Sequence, residues 1–403
     1  MDRFFETPHL DRLAASATVF ENAFCATPQC SPSRSSMWTG WMPSRTGVYG
    51  NVGALGGNPL AQETVAAALQ KAGYATAYFG KWHLGRNEAA LGGFDEAARD
   101  GKDEEATSRA VEYLKQKRFG TRPFAAFVSL VNPHDVYEYR AGKARAEGRV
   151  PLPRSWERET FAAKPAPQKQ FMTEDQGKAI WEQPRAEWEA YRELYREKVR
   201  IYDGQLGRIL DALEASGEAS RTVAAATSDH GDMDTNHKLI FKGPFLYEHM
   251  VRIPLVVRMP GGAARRVRDF DTVNADLAPT LLDLAGLPVP QRQGVSLKPL
   301  LTGAGRRPRR DFVVSEYYGK QNWVNPGRML RTREFKYNLW IRHGEELYDL
   351  RNDPDELNNL AADPAYATRK RELRGELEAW MKQWEDPFFT FRATSRAGVP
   401  LGA

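Results

Sequence analysis

The chain has 403 residues, enough to bury one large core and a smaller second one. Lys and Arg number 57 against 52 Asp and Glu, a formal charge of +5 that suits an anionic ligand. With no basic run it argues against nucleic acid as a partner. Two cysteines exclude a disulfide framework, and no run of about 18 apolar residues is present to cross a membrane.

Met1-Asp2-Arg3 opens the chain without the pattern of a signal peptide. The spacing predicts a short helix from Thr7-Pro8-His9-Leu10 onward, then an extended Thr18 to Phe24. Cys30-Ser31-Pro32-Ser33-Arg34 follows, with Thr39-Gly40 closing the string. Pro32 suits a first helical turn, where its missing N–H costs nothing. Ser33 and Ser35 favour a helix start. Cys30 is therefore expected at a helix N-terminus, where N–H groups and the dipole attract an anion. Arg34 adds a fixed positive charge. Taken alone, a lone cysteine is more often a small buried apolar residue. A thiol phosphatase would need arginine six positions after Cys30, which is Ser36. A zinc site from Cys25 and Cys30 lacks further ligands at the right spacing.

Glu63 to Ala72 predicts a helix stopped by Gly73. Tyr74 to Phe79 predicts a strand ending in Gly80-Lys81-Trp82-His83-Leu84-Gly85, and Asp103 to Lys117 a second helix. Phe124 to Val131 predicts a strand ending in Asn132-Pro133-His134-Asp135. Residues 137–188 are polar and Pro-rich and read as an insertion over one face; Trp156, Trp181 and Trp188 in it suit either sugar stacking or a core. Glu189 to Ala215 is a long amphipathic helix. Thr222 to Thr227 predicts a strand ending in Ser228-Asp229-His230-Gly231-Asp232. A loop with Lys242 follows, and Glu248 is expected to pair with Arg252. Ile253 to Met259 predicts a strand and Val273 to Leu287 a helix. This alternation predicts an α/β fold, a large mostly parallel sheet sandwiched by helices. Ligands then bind outside the carboxyl ends of the strands. Lys81 with His83, His134, and Asp229 with His230 each stand just past a strand end, so they are expected on one edge. The plainer alternatives are a turn with a solvated lysine, an exposed loop histidine and a polar strand cap.

After Leu301 the character changes. Gly303 to Arg310 reads as a basic linker. Short strands are predicted over Asp311–Tyr317, Met329–Arg333, Lys336–Ile341 and Glu346–Leu350, then a helix from about Thr368 to Trp384 and a loose strap from Asp386. The predicted division is a catalytic domain over 1–305, carrying the 137–188 insertion, and a C-terminal α+β subdomain over 306–403 with a small antiparallel sheet and a helix.

The C-x-P-S-R-x-x-x-x-T-G string resembles the motif of the type I, formylglycine-dependent sulfatases of the alkaline phosphatase superfamily. The G-K-W-H-L-G string at Gly80, Asn-Pro-His at 132–134 and Leu-Tyr-Asp-Leu at 347–350 extend the resemblance from Thr7 to about Leu360. It implies an alkaline-phosphatase-like fold and a sulfuric ester hydrolase. The implied substrate is a sulfate monoester of a carbohydrate or an aryl alcohol, either a small molecule or a glycan. It also implies a maturase that oxidises Cys30 to formylglycine, whose hydrate is the nucleophile. By resemblance Arg34 holds that nucleophile, His83 contacts its hydroxyl, Lys81 and Lys242 bind sulfate, and His134 is the acid near the leaving oxygen. Arg34, so employed, is expected to tolerate alanine with little loss of folding. Asp229 and His230 match half of the family's divalent-metal site, for calcium first and for manganese or another ion given the imidazole ligand. Asp-His in place of the commoner Asp-Asn also occurs among phosphonate and choline-ester hydrolases. A phosphodiester or phosphonate monoester hydrolase is therefore the alternative. The family carries an earlier apolar strand ending in adjacent acidic metal ligands. Six residues precede Thr7, and Asp2, Glu6 and Asp11 follow no apolar run. The first strand is thus expected to be missing, leaving an unpaired edge and a weakened metal site. A catalytically impaired sulfatase-like protein is the second alternative.

Overall fold

The computed structural model describes residues 4–54, 57–87, 91–143, 146, 150–320 and 323–391. The chain opens with a helix, Pro8–Ala14, whose first N–H groups are capped from far away: Asp203 accepts from His9 N at 2.9 Å and Leu10 N at 2.8 Å. Two short strands follow, β1 (Thr18–Phe20) and β2 (Ala23–Phe24), and then the helix Cys30–Thr39. β3 (Ala75–Gly80) lies between β4 (Glu96–Arg99) and β5 (Phe124–Ser129) and is parallel to both. Every residue of β3 is buried, as its apolar run requires for a central parallel strand.

The remaining strands are β6 (Ala224–Thr227), β7 (Arg252–Ile253), β8 (Leu255–Arg258), β9 (Arg265–Val267) and β10 (Thr272–Val273). They pair in the orders β6-β8-β1-β9 and β10-β2-β7. β8 runs antiparallel to both β6 and β1. The fold is α/β with helices on the sheet, as predicted, but hydrogen bonding divides the sheet into segments. Pro254 has no N–H to give a ladder and splits the predicted Ile253–Met259 strand into β7 and β8. Among the described residues β5 pairs only with β3, and β6 only with β8.

The helices are set by the same apolar spacing. Asp103–Lys115 opens with three acidic residues at its positive end. It packs Ala110, Tyr113 and Leu114 with Ala212 and Leu213 of the long helix Arg185–Ala215. The described residues of the 137–188 segment form a packed layer. Phe171, Met172, Ile180, Trp188 and Tyr191 share one buried cluster with Leu239, Ile240 and Phe241, and Trp156 and Trp181 lie half-buried against it. The tryptophans therefore serve the core.

A four-stranded antiparallel meander follows: β11 (Val313–Lys320), β12 (Trp323–Arg331), β13 (Phe335–Trp340) and β14 (Gly344–Asp349). The helix Ala367–Gln383 lays Leu373, Leu377 and Met381 on it. Two expectations fail here. Asp386 itself is not loose: its carboxylate takes both arms of the Arg328 guanidinium at 2.7 Å, with neither side chain exposed, while residues 392–403 of the predicted strap lie outside the described residues. A bidentate pair is the strong form of this contact. Glu248 pairs with Lys336 at 2.9 Å and Arg331 at 3.3 Å, because the meander brings them in where Arg252 turns outward to the Glu21 carbonyl.

Candidate active site

Each residue of the Cys30 string has a local task. The helix begins at Cys30 itself. Ser31 N–H is taken by Asn51 Oδ1 at 3.0 Å and Pro32 has none, so the helix end offers fewer free donors than its position suggests. Ser33 Oγ donates to the Asp229 carbonyl at 2.5 Å and accepts from Asn274 Nδ2 at 2.7 Å, which ties the helix to the end of β6. Gly40 caps the helix at φ 77°, and a Cβ there would meet Arg292 and Pro279. Trp38 packs on Phe127 and Trp82, with ring centroids 4.6 and 5.3 Å apart, and so presses the helix onto β3 and β5.

Cys30 is buried, and side chains from three other segments meet its sulfur. Lys242 Nζ lies at 3.1 Å, His230 Nε2 at 3.2 Å and Lys81 Nζ at 3.5 Å. Lys242 Nζ is also 3.1 Å from His134 Nε2. Burial alone would push the Cys30 thiol up, but Lys242, Lys81 and His230 outweigh it and hold the thiol well below its ordinary value. Burial lowers His134. His230 is raised, because Asp229 and Cys30 overcome its desolvation.

The loops that deliver these groups are pinned. Asp103 accepts Asn132 N and Nδ2 at 3.0 and 2.9 Å and fixes the turn carrying His134. Gly80, at φ 106°, approaches Ser129 so closely that a Cβ would sit 2.2 Å from its carbonyl oxygen, and this bend releases Lys81 from the strand. His83 enters through its backbone: Ser31 Oγ donates to its carbonyl at 2.5 Å, and its Nδ1 is buried without a partner.

Arg34 is tied to the Lys81 turn and to β3 and β5. Its guanidinium donates to the Trp82 carbonyl at 2.8 Å, the Lys81 carbonyl at 2.5 Å, Tyr78 Oη at 2.7 Å and Ser129 Oγ at 2.8 Å, and its Nη1 lies 3.8 Å from Asp229. It is 7% exposed, so these acceptors replace water. The expectation that it is dispensable for folding does not survive this geometry. Sequence reasoning also passed over Tyr78, Ser129, Tyr137, Asn274 and Lys320, none of which belongs to a recognisable string.

Cys30, Asp229 and His230 offer ligand atoms within 4.8 Å of one another. His230 Nδ1 faces the Gly231 carbonyl at 2.7 Å, which directs its N–H there and turns Nε2 toward Cys30. Burial opposes ionisation of Asp229, but His230, Lys81 and Arg34 prevail and keep it a carboxylate. One carboxylate, one oriented imidazole and the Cys30 sulfur suit a divalent cation, with further ligands from water or substrate.

Residues 2–287 match the family described as Sulfatase, and residues 236–383 the one described as N-sulphoglucosamine sulphohydrolase, C-terminal. A delta 4,5-hexuronate-2-O-sulfatase of Bacteroides thetaiotaomicron is 28% identical over 416 residues, spanning 94% of this chain and 84% of its own length. The solved structure of a 2-O GAG sulfatase superposes with a TM-score of 0.86 at 27% identity, over 96% of this chain and 89% of that one. A phosphonate monoester hydrolase of Agrobacterium radiobacter superposes with a TM-score of 0.76 at 24% identity, over 100% and 95% of the two chains, a likeness of fold alone.

Proposed function

The chain belongs to the sulfatase family, a family of sulfuric ester hydrolases that generally use a formylglycine and a divalent metal, and we propose that it cleaves carbohydrate sulfate monoesters at Cys30. The observation that carries this is the meeting of Lys242, Lys81 and His230 on one sulfur. A maturase is the implied partner. The oxidised residue 30 would supply the nucleophile, and Asp229 and His230 would hold the divalent cation, calcium first and manganese next, whose positive charge would favour the sulfuryl group there. Lys81 and Lys242 bind sulfuryl oxygens from two sides, where fixed cations in a dry site act strongly. In the resting geometry His134 Nε2 accepts from Lys242. Protonated at Nε2 while Lys242 keeps its charge on the sulfuryl oxygens, His134 would protonate the leaving alcohol, a task worth roughly a hundredfold or more in rate. His83 lies beside the helix start and Arg34 fixes the Lys81 turn from behind. The reading keeps the division at 305/306, since β11 to β14 form their own sheet.

The second reading, hydrolysis of phosphodiesters or phosphonate monoesters, is favoured by the Asp229-His230 pair. Turnover of 4-nitrophenyl sulfate against bis(4-nitrophenyl) phosphate by matured protein separates the two. Faster sulfate cleavage is expected; diester cleavage at higher kcat/KM would reverse the assignment.

A further inference from the structure

We propose that an arginine-rich face around β9 docks the anionic polymer that the active site works on. That the polymer is a sulfated glycan rests on the function proposed above.

β9 is the outer strand of its sheet, and Arg265 and Arg266 on it are exposed, as is Arg268 just beyond. Shared acceptors place other segments on the same surface. The Glu21 carboxylate takes Arg266 and Arg268, each at 2.9 Å, and its carbonyl takes Arg252 Nε at 2.9 Å. Asp269, next in chain to Arg268, takes Arg307 at 2.5 Å, and its carbonyl takes Arg333. Arg306 and Arg309 flank Arg307 and are exposed. Eight exposed arginines in or beside these segments thus outnumber three carboxylates there, Glu21, Asp269 and the exposed Asp311. That surplus of five equals the formal charge of the whole chain, +5, so the rest of the molecule is balanced and the excess is local.

Charged side chains on an outer strand also discourage edge-to-edge pairing. That purpose explains Arg265 and Arg266 but not the linker arginines or Arg333, which arrive on separate segments. Guanidinium groups pair bidentately with oxyanions of sulfate or phosphate geometry. Nucleic acid is disfavoured because the only aromatic residue in 262–270 and 303–311 is Phe270, which is buried, so nothing there stacks on bases. At Arg252 the face is tied through the chain to the site. Arg252 follows Val251 and Met250, and the Met250 carbonyl accepts Gly231 N–H at 2.8 Å, beside His230. A polymer held here raises the local concentration of its own sulfate groups at the site.

The test compares wild type with two triple variants, Arg265→Gln/Arg266→Gln/Arg268→Gln and Arg306→Gln/Arg307→Gln/Arg309→Gln, on heparin. Both variants should elute from immobilised heparin at lower salt, and log affinity should fall less steeply with log salt by about two units for three lost arginines. In matured protein the KM for a sulfated polysaccharide should rise about fivefold or more, while 4-nitrophenyl sulfate turnover stays within about twofold. Wild-type elution of both variants overturns the proposal. So does single-stranded DNA bound as tightly as heparin at the same salt, which makes the face a nucleic-acid site. Heparin binding lost only in variants whose oligomeric state also changes overturns it too and makes the arginines edge guards. Arginine-dependent heparin binding in a matured wild type that cleaves neither aryl sulfate nor sulfated polysaccharide upholds the docking face and rejects the proposed activity instead.

Discussion

Lys320 Nζ donates to the main-chain carbonyl of Lys242, whose N–H donates to Tyr137 Oη at 2.9 Å. Both backbone polar groups of the lysine that meets Cys30 are therefore held by side chains from distant segments, one of them the last residue of β11. Tyr137 also stacks on His134, with centroids 4.6 Å apart, and on Phe241 at 4.0 Å. Burial, reinforced by Lys242, lowers Lys320 well below the ordinary lysine range.

Lys320→Met and Tyr137→Phe should each lower kcat/KM by about tenfold, the scale of one lost hydrogen bond acting on placement. The phenylalanine keeps the stack. The double variant should lose less than the product of the two, because both act on one residue. Losses of thermal stability with kcat/KM intact would make these contacts structural only.

Arg34→Ala should cost about 3–5 kcal/mol of folding, since it strands buried acceptors and removes the partner of Asp229. Lysine should not rescue it, because an ammonium cannot reach four acceptors that a planar fork spans. Denaturant unfolding measures this; a change below about 1 kcal/mol would restore the view of Arg34 as a purely chemical residue.

These two cases mark what the sequence could convey. Lys81, His134 and Asp229-His230 each follow an apolar run ended by Gly, Pro or Ser, so their shared edge was legible from periodicity. Lys242 follows a loop with left-handed φ at Asp234, Thr235, His237, Lys238 and Phe241, which has no period to read; it was found only by resemblance. Lys320 looks like a surface lysine at a strand end, and nothing in its neighbours signals burial. Arg34 was read by its charge, whereas its five contacts come from residues about 44 or more positions away in chain, beyond any local rule.

A pH response resides where β11 meets the Cys30 domain. Glu316 accepts Ser44 N at 2.8 Å, Ser44 Oγ at 2.7 Å and Tyr318 Oη at 3.0 Å. Burial pushes its carboxyl up to about 7 from 4.5, with Asp386 adding and Arg328 opposing. Between those values the folded state holds a proton that the unfolded chain has released, so stability falls as pH rises from about 4.5 to about 7 and then levels. The loss is on the order of 3 kcal/mol. Glu316→Gln should remove this part of the slope. Parallel stability–pH curves for the two proteins would refute it.

Metal retention should depend on His230. Protein as expressed should carry a divalent ion by elemental analysis, and His230→Ala should lose most of it, since the imidazole is one of three ligand groups found together. Chelation should abolish turnover and added calcium restore it. An unchanged metal content in the variant would move the ion elsewhere.

The most direct measurement is the mass of the Cys30 peptide. The full chain, made beside a maturase that modifies a control sulfatase, is digested, and that peptide is weighed before and after an aldehyde-specific reagent. The account predicts a peptide that has lost hydrogen sulfide and gained one oxygen, and that takes up the reagent. An intact thiol at Cys30, with the control fully converted, would contradict the account at its centre.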